Sequence, residues 1–169
     1  RDWRGTFTRF DATPIAAASI GQVHRATLPD GRLLAIKVQY PGVAASIDAD
    51  VDNVATLLRM SRLLPGTLDI APLLSEAKRQ LHEEADYLRE AVQMRRYGAL
   101  LADDPAFVLP TPVEDLSSRT VLAMDFIPGQ PIDSLQETDQ PTRDAALGAM
   151  LVLVLRELFE FGFMQDRKS

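Results

Sequence analysis

A single lysine inside an apolar strand is the feature that most limits how this chain can fold. The segment from Leu33 to Tyr40 alternates as a β-strand does, with Leu34, Ile36 and Val38 on one face and Lys37 on the other. Burying an ammonium among apolar neighbours is costly unless an anion meets it. The strand therefore needs a nearby carboxylate or phosphate, unless it lies at a sheet edge where the lysine reaches water.

A run of small residues, from Ala16 to Gly21, precedes this strand. The string A-A-A-S-I-G-Q-V, from Ala16 to Val23, resembles the phosphate-covering loop G-x-G-x-x-G-x-V of protein kinases, with alanine at two glycine positions. Lys37 closes L-L-A-I-K-V, which resembles the kinase V-A-I-K strand. The methyl group of Ala18 limits positive φ and narrows the space left for phosphates. We therefore expect nucleotide binding with altered selectivity and slow phosphoryl transfer.

The acidic partner of the lysine is expected on a long helix from Ile70 to about Leu101. The apolar seam of this segment places Glu84 on the stripe that faces the core. A carboxylate there needs a cation, so the sequence predicts a Lys37–Glu84 ion pair of the kind that positions nucleotide in kinases.

A local role for Glu84 is the alternative. In that interpretation Glu84 lies at the margin of the stripe and pairs with Arg79 or Arg89. Asp86 points across the helix from Glu84, and Glu90 is expected to be solvated.

The remaining pattern predicts an α+β fold, namely a kinase-like small lobe followed by the first helices of a large lobe. We expect the small lobe at residues 1–127 and the hinge exit with a partial large lobe at 128–169. The predicted elements are strands at Thr6–Phe10, Gln22–Leu28, Phe107–Leu109 and Thr120–Ile127, with helices at 43–64, 70–101 and 144–161. The turns Pro29-Asp30-Gly31 and Pro65-Gly66 separate elements.

Composition excludes several classes of partner and site. The net charge of −6 argues against a nucleic-acid-binding surface. The chain has no cysteine, so it has neither disulfides nor thiolate metal sites, and its histidines, His24 and His82, lie in unrelated segments. The longest apolar stretch, Ala145 to Leu155, is shorter than the roughly twenty residues of a membrane span.

Four strings together resemble the UbiB family, also called AarF or ABC1 kinase-like, and especially its coenzyme Q branch. They are A-A-A-S-I-G-Q-V-H from Ala16, A-I-K-V-Q-Y-P-G-V from Ala35, E-A-D-Y-L-R-E-A from Glu84 and R-E-L-F-E-F-G-F-M-Q from Arg156. The resemblance implies an atypical kinase or ATPase that binds ATP or ADP with Mg²⁺ and supports ubiquinone biosynthesis. It implies coenzyme Q biosynthesis enzymes and a membrane surface as partners through other segments. The implied location is the bacterial cytoplasm at the inner membrane, or the matrix side of the mitochondrial inner membrane.

Carried over by position, the resemblance assigns nucleotide binding to a defined set of residues. The alanine loop and its serine, the strand lysine, its helix partner and the strand leading to the hinge supply Ala16, Ala17, Ala18, Ser19, Lys37, Glu84, Met124, Asp125 and Ile127. Asp86 matches the second acidic position of the family's E-x-D element, and the helix at 43–64 matches its insertion.

The catalytic part of the family pattern has no match in these residues. After F-M-Q the family continues with a catalytic T-D-P-N segment and a metal-binding D-F-G, whereas Gln165 is followed by Asp166, Arg167, Lys168 and Ser169. We expect no catalytic residue and no metal ligand here, and no ATPase activity from the chain alone. The alternatives are a non-catalytic pseudokinase that binds partner proteins or lipid, and a small-molecule phosphotransferase, which would not be expected to carry the alanine loop.

Overall fold

A five-stranded antiparallel sheet forms the centre of the computed structural model, which describes residues 5–61 and 69–161. Its strands are β1 (Arg9–Phe10), β2 (Ala16–Ala18), β3 (Gly21–Thr27), β4 (Leu33–Gln39) and β5 (Val121–Asp125). The order is β1-β3-β4-β5, and β2 also pairs with β3. The predicted β3–β4 hairpin is confirmed, with Gly31 in the turn at a φ of 87°, where glycine avoids the strain of a side chain.

Lys37 lies at the centre of this sheet. It pairs with Val23 of β3 on one side and with Leu122 of β5 on the other. The alternative of an edge-strand lysine is therefore wrong, because neighbouring strands occupy both edges of β4.

Four α-helices accompany the sheet in the described ranges. They are α1 (Val43–Met60), α2 (Ala71–Glu84), α3 (Tyr87–Leu100) and α4 (Gln140–Arg156). A π-helical turn at Glu157–Phe161 follows α4, and short 3-10 turns lie at Glu114–Leu116 and Ile132–Glu137. The predicted end of the inserted helix at Leu64, the Pro65-Gly66 turn and Asp166 lie outside the described residues.

The sheet is packed on both faces by apolar side chains. One cluster centres on Leu34, Ile36 and Ala123, with Phe10 and Val113 against it. The other cluster contains the buried residues Tyr87, Ala91 and Leu122, which join α3 to β5. Helix α3 therefore packs against the central strands through this second cluster. Leu122 of the cluster is also the β5 residue that pairs with Lys37.

Two predicted elements differ from the structure. The predicted helix at 70–101 is interrupted at Ala85 and Asp86, which separate α2 from α3. No strand forms at Phe107–Leu109, because the backbone turns there: Phe107 N donates to Asp104 O at 3.2 Å, and Ala106 N donates to Asp104 Oδ1.

The chain groups into two compact units. The first contains residues 1–94 and 111–126, and the second contains 95–110 and 127–169. The first unit thus holds the whole sheet, α1 and α2, whereas the last seven residues of the predicted helix at 70–101, residues 95–101, group with the second unit.

The second unit has its own polar centre. The Tyr97 hydroxyl donates to the buried carboxylate of Glu157, and Arg156 Nη1 pairs with Asp104 Oδ2 at 2.8 Å. Helix α4 has no fully buried residue, and apolar side chains such as Leu147 and Leu151 are exposed, although the sequence predicts a helix suited to a lobe interior.

None of the helices in the described ranges is both long enough and apolar enough to cross a membrane.

Candidate functional site

The ammonium of Lys37 binds the carboxylate of Glu90. Lys37 Nζ lies 2.8 Å from Glu90 Oε1 and 2.8 Å from Glu90 Oε2. The Lys37 side chain is 16% exposed and that of Glu90 is 36% exposed, so the pair lies at the edge of the core with access to solvent. An ammonium has three N–H donors, and the contacts to Glu90 use two of them.

The prediction that Lys37 pairs with Glu84 is wrong. Glu84 is the last residue of α2 and is exposed, and the carboxylate on Lys37 belongs to Glu90 of α3. The expectation that Glu90 is solvated fails for the same reason. The local alternative for Glu84 is not observed either, because Arg79 and Arg89 both pair with Glu83.

The interruption between α2 and α3 explains the change of partner. Asp86 begins the new helix: its Oδ1 accepts from Leu88 N at 3.1 Å, and its carbonyl accepts from the backbone N of Glu90 at 3.2 Å. An uninterrupted helix would place Glu84 and Glu90 on different faces. Aspartate followed by Y-L-R-E-A is an N-cap signal, so the sequence contained the information needed to find this helix start.

Gln39 holds this interruption against the sheet, a role that the pattern of the strand does not predict. The side chain is buried, and its Nε2 donates to Ala85 O at 3.0 Å. Tyr87 N donates to Arg119 O at 3.1 Å, which adds a second link. Because Gln39 follows Lys37 by two residues on the same strand, both side chains lie on one face and bind neighbouring points of the α2–α3 segment.

Replacing Gln39 with leucine should lower the free energy of unfolding by about 1–3 kcal/mol, because Ala85 O would lose a buried donor. Urea denaturation of the variant measures this. Gln80→Leu is the matched control, since Gln80 makes an exposed contact to Glu76 and its loss should change stability by about 0.5 kcal/mol or less. Equal stability of the Gln39 variant and the wild type would contradict the role assigned to Gln39.

The aromatic ring of Tyr87 lies against the ammonium of Lys37. Lys37 Nζ is 4.6 Å from the ring centroid, and Tyr87 is fully buried. Burial, with a smaller contribution from the negative charge of Glu90, raises the pKa of the Tyr87 hydroxyl to about 12. The phenol is neutral near pH 7, as an unshifted tyrosine would also be. Ile20, Met94 and Met124 pack around this cluster.

The alanine run forms a tight hairpin beside this cluster. Ala16 pairs with Val23 and Ala18 with Gly21, so that Ser19 and Ile20 form a two-residue turn. The carbonyl of Ile20 accepts from Tyr40 N at 2.9 Å. Because the side chain of Ile20 packs on the Tyr87 cluster, the hairpin tip is attached to both β4 and α3. Ala16, Ala17 and Ser19 are exposed and Ala18 is half-buried, so the hairpin is accessible to solvent.

The end of β5 places the residues of the predicted hinge. Met124 is half-buried against the Tyr87 cluster. Asp125 N donates to Thr111 O at 3.0 Å and Phe126 N to Leu33 O at 3.0 Å, so these two backbone donors are already used within the first unit. Ile127 is exposed and belongs to the second unit.

Metal ligands do not cluster in the described ranges. Within residues 5–61 and 69–161, no group of three or more histidine, aspartate or glutamate side chains is placed to hold a metal ion.

A small antiparallel sheet with an alanine-rich hairpin, a central-strand lysine and a glutamate on the packed helix has the arrangement of the small lobe of a protein-kinase-like fold. The family model for the ABC1 atypical kinase-like domain matches residues 1–166. The chain belongs to the ABC1 atypical kinase-like family, which confirms the resemblance drawn from the sequence.

Individual relatives agree with this assignment. The chain is 45% identical over 163 residues to the zebrafish protein named atypical kinase COQ8B, mitochondrial, with 96% of this chain and 26% of that protein covered. It is 39% identical to the Saccharomyces cerevisiae atypical kinase COQ8, mitochondrial, with 97% of this chain and 33% of that protein covered. Among solved structures, Rv3197 of Mycobacterium tuberculosis, determined with erythromycin, matches at a TM-score of 0.71 and 32% identity, covering 85% of this chain and 37% of that one. The chain thus spans about a third or less of the length of these curated relatives.

Proposed function

We propose that this chain is the nucleotide-binding part of an atypical kinase or ATPase that supports ubiquinone biosynthesis. The observation that carries the proposal is the Lys37–Glu90 ion pair at 2.8 Å. It joins the central strand β4 to helix α3, beside the alanine hairpin. In phosphoryl transfer, a lysine held by a helix glutamate positions the phosphates of the nucleotide.

The surroundings of the pair fit an adenine nucleotide. Lys37 is the cation for the phosphates, the exposed positions Ala16, Ala17 and Ser19 cover them, and Met124 lies at the end of the strand leading to the adenine. Bound Mg²⁺ would neutralise phosphate charge. Because the described residues supply no metal-ligand cluster, we expect nucleotide binding by the chain alone without metal-dependent hydrolysis.

The ubiquinone assignment rests on the family and its relatives. The curated relatives with the COQ8 name are called mitochondrial atypical kinases. We extend this to the present chain as a role at the surface of an energy-conserving inner membrane, on the bacterial cytoplasmic side or the mitochondrial matrix side, together with ubiquinone-biosynthesis enzymes.

Thermal unfolding with and without ATP or ADP, each with and without Mg²⁺, tests the binding proposal. Nucleotide should raise the melting temperature of the wild type by mass action, and Lys37→Ala should abolish that rise. Wild-type protein that shows no shift with any of these ligands would contradict the proposal.

A non-catalytic scaffold is the second candidate, because α1 presents apolar side chains to solvent. Val54, Leu57 and Met60 are all more than half exposed. A scaffold function predicts no nucleotide-dependent shift, so the same thermal measurement separates the two candidates.

Replacing Ala18 with glycine should change the ratio of ATP to ADP affinity by about threefold, because glycine frees the backbone at the end of β2 and removes a methyl group beside the hairpin turn. Calorimetric titration with each nucleotide measures the ratio. Ala12→Gly, an exposed change outside the strands, is the control. An unchanged ratio in the Ala18 variant would reject the selectivity role of the methyl group.

A further inference from the structure

We propose that Tyr87 is a positioning residue for Lys37, with its ring face and the Glu90 carboxylate together fixing the ammonium where it meets the phosphates. The inference rests on the proposed nucleotide function and extends it to a residue outside the recognised kinase contacts. It starts from two contacts of one atom: Lys37 Nζ lies 2.8 Å from Glu90 Oε1 and 4.6 Å from the Tyr87 ring centroid.

The two contacts constrain the ammonium in different ways. The carboxylate of Glu90 is 36% exposed and sits on a long side chain, so on its own it leaves the lysine free to move with it. The Tyr87 ring is fully buried and packed by Leu122, Ala91 and Ile20, so it cannot follow the lysine. The ring therefore gives the ammonium a fixed surface, and its negative π face attracts the cation without using a hydrogen bond.

An aromatic contact has a specific advantage beside an anionic ligand. A second carboxylate in place of Tyr87 would compete with the phosphate for the lysine, and its negative charge would repel the phosphate. A neutral ring does neither. The raised pKa of the Tyr87 hydroxyl is consistent with a ring that stays uncharged.

The hydroxyl group does not explain why an aromatic residue is present. In the described structure the Tyr87 hydroxyl is buried and has no hydrogen-bond partner. A buried unpaired hydroxyl costs stability, so the ring face is the part of the side chain with a function. Phenylalanine should therefore replace tyrosine without loss of the positioning effect.

Nuclear magnetic resonance of the ligand-free chain tests the placement without reference to nucleotide. The chain has three lysines, Lys37, Lys78 and Lys168, so lysine-selective ¹³C labelling gives few signals, and Lys37→Arg assigns one of them. A side chain held over a ring face has ε-methylene protons shifted upfield by the ring current. We expect this shift for Lys37 in the wild type and in Tyr87→Phe, and its loss in Tyr87→Leu.

Binding of Mg²⁺–ATP, measured by titration calorimetry on the same variants, tests the consequence. We expect Tyr87→Leu to bind about three- to tenfold more weakly and Tyr87→Phe to match the wild type. Met94→Ala is the control for general damage, since Met94 packs on the same cluster without contributing the ring. It should keep both the upfield Lys37 signal and the wild-type affinity. If Tyr87→Leu fails to fold, the wild-type and Tyr87→Phe spectra still decide whether the ring holds the lysine.

The outcomes separate this inference from the proposed function. An unshifted Lys37 signal in the wild type overturns the positioning role, whatever the nucleotide affinity. A shifted signal that is lost in Tyr87→Leu with no change in affinity also overturns it. A wild-type chain with the shifted signal but no ATP binding overturns the proposed function, and with it the positioning of phosphates.

Discussion

Replacing Glu90 with glutamine should weaken ATP binding by at least about tenfold, because the Lys37 ammonium would lose the carboxylate that orients it in the central strand. Glutamine keeps the size of the side chain, so the change removes charge with little change in packing. About 1.4 kcal/mol accompanies a tenfold change in affinity, which is a modest loss for a half-buried ion pair. Titration calorimetry with Mg²⁺–ATP measures the effect.

Glu84→Gln is the matched control for this experiment. Glu84 lies six residues before Glu90 but is exposed at the end of α2 and makes no contact with Lys37, so its change should leave affinity within about twofold. The reverse result, with a strong effect of Glu84→Gln and none of Glu90→Gln, would restore the pairing that the sequence alone suggests and contradict the structure.

Replacing Gly21 with alanine should lower the free energy of unfolding by about 2–3 kcal/mol, the upper part of the range for overpacked sites. A Cβ at Gly21 would lie 2.3 Å from Val38 O and 3.1 Å from Gln39 Cα, and both obstacles are backbone atoms of β4 that cannot rotate away. The hairpin that carries the alanine run would have to separate from the lysine strand. Urea denaturation measures the loss, and nucleotide-dependent thermal shift should fall with it.

Gly148→Ala is the control for this prediction. Nothing lies within 4 Å of a Cβ built on Gly148, which is inside α4, so alanine there should stabilise the chain by roughly 0.5–1 kcal/mol. A Gly21 variant as stable as the wild type would show that β3 and β4 are not as close at this position as the structure has them.

The sheet could be predicted because its signals are local. The alternation around Lys37 and the Pro29-Asp30-Gly31 turn specify β4 and the β3–β4 hairpin, and both are confirmed. A short strand of three alanines has almost no such signal, so β2 was not predicted. Its pairing depends on the hairpin turn at Ser19 and Ile20, which the pattern of side chains does not encode.

The apolar seam could not identify the acidic partner, because its periodicity implies one uninterrupted helix over residues 70–101. A break of two residues at Ala85 and Asp86 changes which side chain faces the sheet, and it depends on a long-range contact, the bond from Gln39 to Ala85 O. Helix periodicity has no access to such a contact. The N-cap pattern at Asp86 was the one local signal that could have corrected the choice.

Labelling with a lysine-reactive acyl-phosphate derivative of ATP, followed by peptide mass spectrometry, tests the central claim most directly. Lys37 should be modified and protected by excess ATP. Lys78 of α2 is the internal control and should show no such protection. Its Nζ lies 2.7 Å from Oδ1 of Asp52 on α1. Labelling of Lys37 that ATP does not reduce, at the level found for Lys78, would contradict a nucleotide site at this lysine.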